Sequence, residues 1–231
     1  MTTPEPVTAT TPRPVRRAVL VQQWIGVTFV HWAVEPAVVS PLLPPGTVPD
    51  VYAGATYVGL VAFRVAQVVP PFPGFAEVNV RLYTVDAAGR RGVAFRSLDA
   101  SRLAPVLGAR ALGLPYHWAT ARAGGTRVES RRRWPGPPGA GCALDLVVGD
   151  ALPYPSPLSE FLTARWGLHL RTGPRTTYWP TEHRAWTLHD ARLQRLDEDL
   201  VAAAGLPAPE RPPDSVLFSP GVTARFGPPG P

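Results

Sequence analysis

Within residues 75–85, FAEVNVRLYTV, positions 77–83 alternate between two kinds of side chain. The even positions Val78, Val80 and Leu82 are apolar, and the odd positions are Glu77, Asn79, Arg81 and Tyr83. A period of two places each set on its own face of one β-strand. The turn signal Asp86-Ala-Ala-Gly89 follows, and RGVAFRSLDA (91–100) reads as the return strand of a hairpin. A chain built on such a hairpin is committed to a sheet that buries one face. The other face is either solvated or the polar lining of a closed barrel.

The neighbouring segments agree with a sheet. Residues 51–65, VYAGATYVGLVAFRV, are β-branched and aromatic on both parities, as in a strand covered on both faces. Further strands are expected over 116–122, 126–134, 142–148 and 174–187. Helices are expected in three places. Segment 101–113 carries Ser101 as N-cap and apolar Leu103, Val106, Leu107 and Leu114 at helical spacing. Segment 156–167 has Leu158, Phe161 and Leu162 on one side, capped by Ser156 or Ser159. Segment 189–205 has Leu193, Leu196 and Leu200, then Gly205 and Pro207 as stop signals. Strands early and helices inserted or late argue for an α+β fold.

No repeat or long linker divides the chain. One domain over 18–221 is expected, with a disordered Thr/Pro/Arg-rich tail at 1–17 and a loose tail at 222–231. The apolar stretch from Ala18 to Val34 is interrupted by Gln22, Gln23 and His31, and no signal peptide is evident, so a cytoplasmic protein with no membrane partner is expected. The single cysteine, Cys142, lies in an apolar run and reads as an inert buried thiol.

Composition sharpens the chemistry in one respect. All 23 basic side chains are arginine, against 17 acids, for a formal charge of +6. With no lysine, no side chain can form a Schiff base, hold pyridoxal phosphate as an aldimine or serve a phosphate loop. Arginine stays protonated and is no substitute. The arginines are scattered, and the members of Arg131-Arg132-Arg133 alternate faces in a strand, so no nucleic-acid partner is expected. The five histidines share no compact metal-ligand spacing, and neither metal nor cofactor is expected.

The odd face of 75–85 is the best polar constellation. Glu77 and Arg81 lie about 13 Å apart along the strand, with Asn79 between them. The return strand is expected to add Ser97 and Asp99.

The ordered series QQWIGVTFVHWAVEPAVVSPLLPPG, GATYVGLVAFRV, FAEVNVRLYTVDAAGRRGVAFRSLDASRLAPVLGARALGLPYHWA, VESRRRW, LSEFLTARWGLH and TEHRAW resembles the YqjF-like family of bacterial domains, from about Leu20 to about Gly221. The most specific part is E-x-N-x-R-x-Y followed by G-V-x-F-x-S-L-D-A. That family is related to the acetoacetate decarboxylase-like superfamily. The resemblance implies a cone-like, largely antiparallel β-barrel with helices packed outside and a central polar cavity. The superfamily's decarboxylases place a Schiff-base lysine after a short helix. In the similar segment ARALGLPYHWA that place is held by Tyr116. Glu77 and Arg110 resemble the superfamily's acid and Gly-Arg positions.

The resemblance and the missing lysine leave a defined set of roles. Glu77 is the candidate general acid or base, and Tyr116 the candidate hydrogen-bond donor to a carbonyl or enolate oxygen. Arg81 or Arg110 would clamp a carboxylate. Asn79 and Asp99 join the ligand-binding set. His31 and His183 either line the same cavity or satisfy core hydrogen bonds. Two functions remain open: binding of a small carboxylate- or carbonyl-bearing molecule without Schiff-base chemistry, and lysine-independent acid–base catalysis of lyase or hydrolase type on a keto or carboxylic acid. Fold analogy does not choose between them, and homo-oligomerisation is left open.

Overall fold

The computed structural model describes residues 3–69, 73–136 and 138–230. Met1, Thr2 and Pro231, the extremities of the two expected tails, lie outside the described residues. In chain order the strands are β1 (Leu20–Val34), β2 (Thr47–Pro49), β3 (Thr56–Val69), β4 (Phe75–Asp86), β5 (Arg91–Ala100) and β6 (Tyr116–Arg122). They continue with β7 (Arg127–Trp134), β8 (Gly141–Ala151), β9 (Gly167–Thr172), β10 (Arg175–Glu182), β11 (His189–Glu198) and β12 (Ser215–Phe226). Four short helices accompany them: α1 (Pro36–Val39), α2 (Leu103–Ala111), α3 (Pro157–Thr163) and α4 (Leu200–Ala203). The fold is mostly β, and no described helix is long and apolar enough to cross a membrane.

All twelve strands belong to one sheet, and two extra pairings curl it on itself. Taken in order, β5, β4, β3, β1, β12, β10 and β9 pair each with the next, and β9 returns to β5. The return is one parallel bridge, Val93 to Leu168, and β10 meets β12 over two residue pairs. This near-closed ring is the barrel. Strands β6, β7, β8 and β11 take a second route from β5 to β12. They cover the outer face of β4, β3 and β1. Apart from β5–β6 and β5–β9, the pairings are antiparallel.

Strands β1, β3 and β4 are therefore a partition with two buried faces. On the outer face Val30, Leu60, Val78, Val80 and Leu82 pack against Val128, Leu144 and Leu146 of the covering strands. On the inner face the register builds rows. Phe63 lies opposite Glu77, Val61 opposite Asn79, and Gly59 opposite both Arg81 and His31.

The expected helix over 189–205 is instead strand β11 followed by the single turn α4. A β-bulge explains the difference. Leu193 pairs with Leu146 and Leu196 with Leu144, because the register shifts between Leu193 and Arg195. The extra residue turns a two-residue repeat into a three-residue one, which imitates helical spacing. Ser101 does not cap α2. That helix starts after Arg102, and the Ser101 hydroxyl accepts a hydrogen bond from Ala76 N–H at 2.9 Å. Leu103 and Leu107 of α2 face solvent, and Val106 alone in the helix is buried. Helix α3 is capped by Ser156 as expected, but it stops at Thr163, and β9 starts at Gly167.

At the chain's ends, Gly221 falls inside β12 rather than closing it. Its φ is +129°, and a Cβ there would sit 1.9 Å from the Trp24 carbonyl oxygen, so the site admits only glycine. Residues 3–17 carry no regular structure but touch the barrel. Glu5 N–H donates to Gly89 O at 2.9 Å, Trp166 Nε1 donates to Thr8 O at 3.0 Å, and Val15 is buried.

Candidate functional site

The seven-stranded ring encloses a cavity of about 170 Å³. Glu77, Asn79 and Arg81 line it from β4, Tyr116 from the start of β6, and His183 from the segment after β10. The alternation that makes β4 a strand sends these three odd positions inward while Val78 and Val80 pack outward.

Glu77 is the centre of the polar group. Its side chain is buried, with Tyr116 Oη donating to Oε2 at 2.6 Å and Asn79 Nδ2 donating to Oε1 at 3.1 Å. Burial disfavours the charged carboxylate and pushes its pKa up to about 7, against the two hydrogen bonds that favour the anion. Burial, the Glu77 charge and their hydrogen bond raise the Tyr116 hydroxyl well above its ordinary value, so it stays a proton donor. Asn79, oriented by its bond to Glu77, leaves Oδ1 buried without a partner among the described residues.

Arg81 forms the second polar group. Its Nη2 donates to Leu162 O at 3.0 Å and its Nε to Tyr83 Oη at 3.3 Å. Among the described residues no carboxylate pairs with it. Tyr83 Oη also donates to Leu162 O at 3.0 Å and lies 2.7 Å from His31 Nε2. The tyrosine has one proton, so the set is satisfied when His31 donates from Nε2, leaving Nδ1 unprotonated and unpartnered. Burial and the nearby Arg81 and Arg165 charges push the His31 pKa well down, consistent with a neutral ring. Gly59 makes this contact possible. A Cβ there would lie 3.0–3.2 Å from the His31 ring and Tyr83 Oη.

The expected residues separate into three sets. Glu77, Asn79, Arg81, Tyr116 and His183 line one cavity. His31 does not line it but stands behind Arg81, one hydrogen bond removed through Tyr83. Asp99 and Arg110 do not belong. The register pairs Asp99 with Val78, on the outer face, where it accepts from Arg132 Nη2 at 2.8 Å with both side chains buried. Ser97, paired with Val80, shares that face. Arg110 sits on α2, donates from Nη1 to Tyr116 O at 2.9 Å, and stacks over Trp134. His183 is neutral in the cavity wall, because burial lowers its pKa to about 4. Its Nδ1 lies 2.7 Å from Arg184 O, and its ring packs on Trp166 and Trp186.

Sequence reasoning missed Arg165. It lines the cavity but is not a free cation, since Nη1 donates to Asp50 and Nε to Phe161 O at 2.7 Å. Asp50 also accepts from Arg91. No periodic pattern marks Arg165, which lies in the turn between α3 and β9. No group of three or more acids, histidines or cysteines among the described residues is placed to hold a metal ion.

Solved structures share this architecture. The acetoacetate decarboxylase of Legionella pneumophila matches over 94% of this chain and 90% of its own, with a TM-score of 0.58 and 15% identity. The enduracididine biosynthesis enzyme MppR complexed with pyruvate matches over 91% of both chains, with a TM-score of 0.57 and 17% identity. An acetoacetate decarboxylase-like enzyme of Sphingomonas wittichii RW1 matches over 94% of this chain and 93% of its own, with a TM-score of 0.54 and 12% identity. The chain therefore has the acetoacetate decarboxylase-like fold. In sequence it is 28% identical over 204 residues to the uncharacterized protein YqjF of Bacillus subtilis (strain 168), covering 83% of this chain and 84% of that one. The family model DUF2071, described as an uncharacterized conserved protein, matches residues 21–223, and the chain belongs to that family.

Proposed function

We propose that the cavity binds a small molecule carrying a carboxylate and a carbonyl, without forming an imine. The observation that carries this reading is Arg81. It is a guanidinium in a mostly apolar cavity, held in place by Leu162 O and Tyr83 and paired with no described acid. Arg81 is half-buried, and the cost of a partly desolvated cation with no counter-ion among the described residues is offset by a ligand carboxylate through paired charge-assisted hydrogen bonds. In pyruvate the carbonyl adjoins the carboxylate, so both would lie in the one pocket that Glu77 and Tyr116 also line. The pyruvate complex of MppR shows that this fold accommodates a keto acid, which lends the reading support.

Calorimetric titration with pyruvate tests it. Wild-type protein should bind, and Arg81→Met should bind about 10- to 100-fold more weakly, the value of losing a charged hydrogen-bonded contact. Equal binding by both proteins, or none by the wild type, would overturn the reading.

A second reading, acid–base catalysis, is favoured by Glu77. A carboxyl titrating near pH 7 can both donate and accept a proton at neutral pH. Glu77 would move a proton at the carbon or oxygen next to the carbonyl while Tyr116 donates to the carbonyl oxygen. Proton NMR of pyruvate in D2O tests this reading. The wild type should exchange the methyl protons faster than Glu77→Gln does. Identical rates would leave binding as the whole function.

A further inference from the structure

The cavity wall distinguishes which acids fit. The outer face of the partition packs aliphatic side chains, and Trp32 is the one aromatic residue in that buried cluster. The cavity face mixes aliphatic side chains such as Val27, Val61 and Leu98 with a run of aromatic rings. Arg81 lies over the Phe29 ring at 5.6 Å, and Phe29 meets Trp186 edge-on at 5.2 Å. Trp186 stacks on Trp24 at 6.3 Å with a 13° interplanar angle, and Trp24 contacts Phe63 at 5.0 Å. Phe63 is in turn the cross-strand neighbour of Glu77. A run of aromatic contacts thus leads from the Arg81 guanidinium to the strand neighbour of Glu77.

That wall offers no hydrogen-bond donors of its own. Trp24 Nε1 donates to Gln22 Oε1 at 2.8 Å, and Trp186 Nε1 donates to Thr163 O at 3.0 Å. Their ring faces are left for apolar contact, in the edge and offset geometries that aromatic pairs prefer. The space is also the right size. Apolar protein cavities of about 150 Å³ take up benzene. At about 170 Å³ this one has room for a single six-membered ring.

We propose that the ligand is a monocyclic aryl keto acid, its ring seated among Phe29, Phe63, Trp24 and Trp186 and its carboxylate on Arg81. This rests on the carboxylate-binding reading above and adds the chemical class of the non-reacting part. A short aliphatic acid would leave the aromatic wall uncovered.

Calorimetry with three probes on the full chain separates the two claims. Phenylpyruvate should bind at least about ten-fold more tightly than pyruvate, as burial of a phenyl ring predicts. It should also bind more tightly than the branched aliphatic 4-methyl-2-oxopentanoate. Trp186→Leu should lower the ratio of phenylpyruvate to pyruvate affinity by at least about three-fold. If that variant does not fold, Phe63→Leu makes the same test. Pyruvate or the aliphatic acid binding as tightly as phenylpyruvate would overturn the aryl proposal while leaving the carboxylate site standing. Binding of none of the three would remove the carboxylate site, and the aryl proposal with it.

Discussion

Val78, Val80 and Leu82 face one side of β4, and Glu77, Asn79 and Arg81 face the other; all are buried except Arg81, which is half-buried. The outer side is filled mostly by aliphatic contacts, and its buried charges, Asp99 and Arg132, pair with each other. The inner side lines the cavity and holds a carboxyl whose pKa burial raises to about 7, together with a guanidinium that has no acid partner and an amide oxygen that has no donor among the described residues. The same three strands thus carry a packed face and a cavity face. Residues on the outer face should govern folding, and residues on the inner face should govern ligand binding and pH response.

The largest expected break is on the outer side. Leu82 is fully buried, and Leu82→Ala should cost about 2–5 kcal/mol in denaturant unfolding. Pyruvate affinity of the remaining folded protein should stay within a few-fold.

Next comes the pH response of the inner side. The Glu77 pKa is raised on folding, so its neutral form stabilises the fold fully below about pH 4.5, and that contribution is lost as pH climbs toward 7. Relative to Glu77→Gln, the wild type should lose on the order of 3 kcal/mol between pH 4.5 and pH 8, read from unfolding curves. Pyruvate affinity should fall over the upper part of that range, as the Glu77 anion repels the ligand carboxylate. Parallel wild-type and Glu77→Gln curves would contradict the account.

Gly59→Ala should give a smaller effect, about 1–3 kcal/mol of overpacking against His31 and Tyr83. It should weaken pyruvate binding as well, because Tyr83 holds Arg81.

Much of this contrast was legible in one strand. The alternation in 75–85 fixes which residues share a face, and Gly59, Phe63 and Val61 then follow from pairing. Legibility failed where position depends on register rather than period. Asp99 reads as a neighbour of Glu77, but pairing with Val78 turns it to the other side. Leu193 and Leu196 read as helical because a bulge separates them by three residues. The ring's closure rests on a single β5–β9 bridge and two β10–β12 pairs, contacts between distant segments that no local pattern records. Arg165 lies in a turn and owes its burial to Asp50, 115 residues away. The Glu77–Tyr116 bond likewise spans 39 residues; the family resemblance points to both residues but not to a bond between them.

The central claim is that Glu77 is held near neutrality inside the ring. Carboxyl-carbon NMR of protein labelled at glutamate, with Glu77→Gln to assign the signal, measures it directly. The account predicts a midpoint of about 7 for Glu77, moving further up in Tyr116→Phe as the anion loses a donor. A midpoint at the ordinary glutamate value of about 4.5, unchanged in Tyr116→Phe, would contradict it.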